Sequence, residues 1–192
     1  LCWVLCCVLL CGPAACAAGA PSTGAAAPAP EPIAAVFMRT MVVVRDIERS
    51  KHFYTSAFGF RVTQHVVLED PLTKAQLGIP LSRRATFALL VNDAIIDGRK
   101  RPTASIGLLE LDTPASAPLV RPDGEVLAAG EHVMALRTND IRAVHRSLQM
   151  LGARYAVEPV STADGSATEL VVYDPDGVRI HVVQRPDTER DF

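Results

Sequence analysis

Two stretches of this chain follow the same order of elements: a strand, a helix, then three strands. A repeat of a whole supersecondary unit restricts the fold more than any single motif. The first copy opens at Val36–Val44 (VFMRTMVVV), a β-branched run that reads as a buried strand. Asp46 is placed to cap a helix with apolar positions Ile47, Phe53, Tyr54 and Phe58, and Gly59 is placed to end it. Phe60–Leu68, Ala85–Val91 and Ala104–Leu111 read as the three strands. Asp70–Pro80 reads as a polar excursion with one helical turn, and Asn92–Pro102 as a charged loop. Thr113–Gly130, with Pro114, Pro118 and Pro122, reads as a linker. The second copy then runs through a strand at His132–Thr138 and a helix capped by Asn139 or Asp140. Ile141, Val144, Leu148 and Leu151 mark the apolar side of that helix, and Gly152 its end. A strand at Tyr155–Val160 and a turn at Ser161–Gly165 follow.

The last two strands lie in Thr168–Gln184 (TELVVYDPDGVRIHVVQ), two apolar runs around Asp174-Pro175-Asp176-Gly177. Pro175 presets φ and Gly177 accepts positive φ, so this is a tight hairpin. On its second arm Val178, Ile180 and Val182 share one face. Arg179, His181 and Val183 share the other, which places one imidazole mid-strand on the more polar side.

The formal net charge of −2 gives no electrostatic support for nucleic-acid binding. All five cysteines fall within the first sixteen residues. The remainder therefore has no disulfide framework, thiolate metal site or cysteine nucleophile. No Gly-rich phosphate loop and no Ser-His-Asp ordering is present. Residues 1–18 combine a short apolar run with small residues, as in a secretory signal peptide, and 19–35 form an Ala/Pro-rich linker. Ala14-Ala15-Cys16 resembles the end of a lipoprotein signal, so a lipid anchor at Cys16 in an exported, periplasmic or membrane-anchored protein is one expectation. The alternative is a cytoplasmic protein that starts at Met38 or Met41.

Val42-Val43-Val44-Arg45-Asp46-Ile47-Glu48-Arg49-Ser50, Phe53-Tyr54 and Phe58-Gly59-Phe60 resemble the opening of a vicinal oxygen chelate domain. Asp174-Pro175-Asp176-Gly177-Val178-Arg179-Ile180 resembles its closing hairpin. This is the glyoxalase / bleomycin-resistance / extradiol dioxygenase superfamily. The resemblance implies an α+β fold in which two tandem βαβββ modules form an open, cupped eight-stranded sheet. The domain would cover 36–186, with modules at 36–112 and 131–185. A homodimer is also implied.

Metal-dependent members of this group carry ligands on the first and last strand of each module. The matching positions here are Arg39, Glu110, Val133 (next to His132) and His181. A guanidinium and an isopropyl group do not ligate metals. A bulge in the fifth strand would turn His132 inward. Glu110, His181 and His132 would then suit a divalent zinc, nickel, manganese or iron ion, with Glu110 also the catalytic candidate. Without a metal, Arg39, Glu110, His181 and Tyr155 would orient a small-molecule substrate, with Arg39 anchoring an anion or pairing with Glu110. Two functions follow from the resemblance. One is a glyoxalase-fold protein that binds a small anionic or oxygen-rich molecule in its cup with an incomplete metal site. The other is a metal-dependent glyoxalase- or dioxygenase-like lyase, isomerase or ring-cleaving oxidoreductase.

Overall fold

A computed structural model describes residues 37–96, 99–112, 127 and 130–185. The signal-like segment, Cys16, the linker at 19–35 and most of Thr113–Gly130 lie outside the described residues.

The first module contains β1 (Thr40–Val44), α1 (Ile47–Phe58), β2 (Arg61–Leu68), α2 (Pro71–Gln76), β3 (Ala85–Ile96) and β4 (Arg99–Leu111). The second contains β5 (Val133–Arg137), α3 (Ile141–Met150), β6 (Arg154–Ser161), β7 (Thr168–Tyr173) and β8 (Arg179–Gln184). The expected α+β pair of βαβββ modules forms. Among the described residues the eight strands divide into two sheets of four, ordered β1-β4-β3-β2 and β5-β8-β7-β6. In each, the first strand runs parallel to the last, which the intervening helix permits, and the other pairs are antiparallel.

The repeat extends to the capping chemistry. Asp46 accepts from the Arg49 amide and Asp140 from the Ala143 amide, each at 2.9 Å. The first helical amide of each helix donates to a side chain at the end of its module's last strand. Ile47 N reaches Glu110 Oε2 at 3.4 Å, and Ile141 N reaches Gln184 Oε1 at 2.8 Å. Gly59 (φ 70°) and Gly152 (φ 63°) take the left-handed conformation that stops each helix.

One continuous core joins the modules. Val42, Val44, Ile106 and Leu108 from the first sheet meet Leu170, Val172, Ile180 and Val182 from the second, with Phe53, Tyr54, Val144 and Leu148 from the helices. The alternation along β8 is as the sequence indicates: Ile180 and Val182 are buried, while Arg179, His181 and Val183 are half-buried.

The stretch read as a charged loop is instead the end of a long hairpin. Pairing continues from Asn92↔Ala104 to Ile96↔Arg99, with a register shift between Asn92 and Asp93, opposite Pro102. Backbone pairing carries this extension beyond the core, so side-chain polarity does not reveal it. Proline, which lacks an N–H, is tolerated next to such an irregularity.

The Asp174–Gly177 turn also docks one module on the other. Asp174 accepts from its own turn, at the Asp176 amide (2.9 Å) and the Val178 amide (2.7 Å). Its other oxygen accepts from the buried Tyr54 hydroxyl of α1 at 2.8 Å. Asp176 accepts from Arg45 Nε at 3.0 Å and from Ser50 Oγ at 3.1 Å. Burial and the nearby Asp174 carboxylate push the Tyr54 hydroxyl far above its ordinary pKa, so it stays a donor.

Candidate functional site

Strand register sorts the expected site residues onto faces, because directly paired residues project to the same side. In the first sheet Val42 pairs with Leu108 and Val44 with Glu110, and this side carries the core and α1. The other, helix-free side carries Met41 paired with Gly107 and Val43 with Leu109. Phe87 continues that row beside Leu109, and Val66 beside Phe87. This surface is apolar, with Met41, Val43 and Val66 exposed.

The helix-free side of the second sheet is polar. His181 lies between Ala135 and Val171, Val183 lies beside Glu169, and Arg179 beside Tyr173. His181 Nε2 stands 3.1 Å from Glu169 Oε2. Arg179 Nη2 donates to the Tyr173 hydroxyl at 2.9 Å, and its Nε is 3.8 Å from Glu131. Across the sheet, the Arg154 guanidinium lies 3.7 Å from the Tyr173 ring centroid.

Among the described residues, Arg39, Glu110, His132, Tyr155 and His181 make no hydrogen bond or ion pair with one another. Arg39, exposed just before β1, has no side-chain hydrogen bond or ion pair among the described residues. Glu110 points to the α1 side and accepts from the first amide of that helix, so the Arg39–Glu110 pair is not formed. The module repeat gives a different counterpart to His181. Met41 stands as far before Asp46 as Ala135 stands before Asp140, and Met41 pairs with Gly107 where Ala135 pairs with His181. Gly107 offers no donor atom, and the space is taken: a Cβ there would sit 2.8 Å from Phe87 Cε2.

His132 sits just ahead of β5, with Nε2 3.4 Å from Thr40 Oγ1. The β5 register runs without a shift from Val133↔Arg179 to Arg137↔Val183, so no bulge turns the imidazole toward His181. Tyr155 pairs with the core residue Val172 and so faces the helix side. Its hydroxyl lies 3.0 Å from His145 Nδ1. Burial, followed by the Glu158 carboxylate, pushes the phenol up to about 12.

The donor set therefore does not fit a divalent ion. The four positions equivalent by repeat and spacing are Arg39, Gly107, Val133 and His181, of which only His181 can ligate. Among the described residues, no group of three His, Cys, Asp or Glu side chains is placed to hold a metal. Two features of this face are not evident from the motifs: Glu169 beside His181, and the Arg154–Tyr173–Arg179 stack. The signal for Glu169 is diagonal neighbourhood on one face of the hairpin, which appears only when both arms are aligned about the turn.

The sequence profile described as Glyoxalase/Bleomycin resistance protein/Dioxygenase superfamily matches residues 37–182. Among solved structures, the chain is similar to a glyoxalase family protein from Bacillus cereus, with 17% identity and a TM-score of 0.65 over 82% of this chain and 98% of that one. It is also similar to a glyoxylase/bleomycin resistance protein/dioxygenase domain from Frankia sp. EAN1pec, with 15% identity, a TM-score of 0.53 and coverage of 82% and 96%. Glyoxalase I from Zea mays has 19% identity and a TM-score of 0.52, and the match covers 79% of this chain but 45% of the maize protein. At these identities the likeness is one of fold. No curated protein matches the chain in sequence. Profile, topology and module repeat agree, and the chain belongs to the glyoxalase / bleomycin resistance protein / dioxygenase superfamily.

Proposed function

We propose that this protein binds a small anionic or oxygen-rich molecule on the helix-free side of its sheets, and does so without a metal ion. One observation carries the reading: of the four equivalent positions only His181 is a metal donor, and its imidazole is already held by Glu169 at 3.1 Å. The surface has the complementary parts such a ligand needs. Met41 and Val43 offer exposed apolar contact, and Arg39 offers a guanidinium with no partner among the described residues, suited to an oxyanion. His181 and Glu169 offer a donor and an acceptor for hydroxyl or carbonyl groups. A metal-dependent lyase or dioxygenase activity would require ligands that this face does not supply.

The test is a panel of small carboxylates, phosphonates and diols added to metal-free protein, read through the NMR signals of the His181 ring. The reading expects at least one class to shift those signals saturably, with the response lost in Arg39→Ala. It is overturned if no compound acts until a divalent ion is added.

A further inference from the structure

A cleft of about 380 Å³ lies where α1 meets the β7–β8 turn, and it reaches Arg154 and Tyr173 at the end of the second sheet. Four exposed side chains of basic type line it. Arg45, just before α1, and Arg49 and His52 of α1 line it from the first module, and Arg154 from the second. The two carboxylates in the lining are turned to other work. Asp174 accepts from Tyr54 and two turn amides, and Asp176 from Ser50 and Arg45. The Arg49 guanidinium makes no hydrogen bond or ion pair among the described residues. The Arg154 guanidinium carbon stands 3.7 Å from the Tyr173 ring centroid, a cation–π contact. Leu151 and Phe53 supply an apolar floor.

We propose that this cleft is a binding site for a phosphate group, either inorganic or carried by a small organic molecule. Cationic groups contributed by both modules suit a tetrahedral dianion, which presents oxygens in several directions, better than a planar carboxylate, which presents two in one plane. The cavity is large enough for a phosphate with a short organic substituent. Both modules contribute walls, so an anion bound here bridges them at the contact already made by Arg45 and Asp176.

Titration with inorganic phosphate at constant ionic strength, followed by calorimetry and by phosphorus NMR, tests the site. Saturable binding is expected. Arg49→Ala and Arg154→Ala should each weaken it by about tenfold or more, the loss of one charge-assisted contact. His181→Ala and Arg142→Ala should leave it unchanged. Arg154→Ala removes a packed side chain, but Arg49 is exposed and its guanidinium has no partner among the described residues, so its variant reports on binding. The proposal is overturned if the wild-type protein shows no saturable binding, if all four variants bind alike, or if acetate binds as tightly as phosphate. Loss only in His181→Ala would place the anion beside His181 and Glu169 instead and would also overturn it.

Discussion

At the scale of single residues, the carboxyl of Asp174 shows how the family's closing turn acts here. It is buried and accepts three hydrogen bonds, one of them from the other module. Burial is the largest influence on its pKa and raises it above the ordinary 3.8, while the three donors oppose that rise. The folded protein therefore holds this proton more tightly than the unfolded chain does. The group's contribution to stability is full below the ordinary carboxylate pKa and declines as pH rises through the raised value. Asp174→Asn keeps an acceptor for both turn amides and removes the titration. Urea denaturation across pH 3 to 7 should show the wild type losing stability relative to this variant as pH increases. A constant difference across the range would contradict the assigned direction. The sequence showed Asp174 as a turn residue, but not the Tyr54 hydroxyl 120 positions away that completes its shell. Turn chemistry is local, whereas that contact depends on how the modules dock.

Among the elements, Glu110 separates the legible from the hidden. Helix α1 and the strands were readable from apolar spacing and capping residues, and so was the face of His181 beyond a well-marked turn. The face of Glu110 was not, because Leu108-Leu109-Glu110-Leu111 is apolar on both sides and carries no alternation. Only the register with β1 decides that Glu110 lies with Val44 and that Gly107 takes the place opposite Met41. The extension of β3 and β4 escaped for a related reason, since pairing there rests on backbone groups. The assignment of Glu110 as an acceptor for the start of α1 has a direct consequence. Glu110→Ala should cost about 0.5–2 kcal/mol, as the loss of a helix cap does. Glu110→Gln should retain most of that stability, because Gln184 performs the same task for α3. Ligand binding should be unaffected by Glu110→Gln. A loss of binding equal to that of His181→Ala, with stability intact, would return Glu110 to the site.

For the whole molecule, the repeat explains both what is kept and what has diverged. The helix side is nearly the same in both modules, with matched caps, matched acceptors and a shared core. The helix-free sides differ: the first is apolar, with Phe87 filling the space over Gly107, and the second presents His181, Glu169 and arginines. Fold is thus preserved where the modules pack, while the face on which the superfamily's metal chemistry would be built has lost its symmetry. The most direct test of this account is the metal content of protein purified without chelator, combined with thermal unfolding in added zinc, nickel, manganese and ferrous iron. The account predicts substoichiometric metal and no change in melting temperature specific to any ion. One equivalent of a divalent ion, retained by the wild type and lost in His181→Ala, would contradict it.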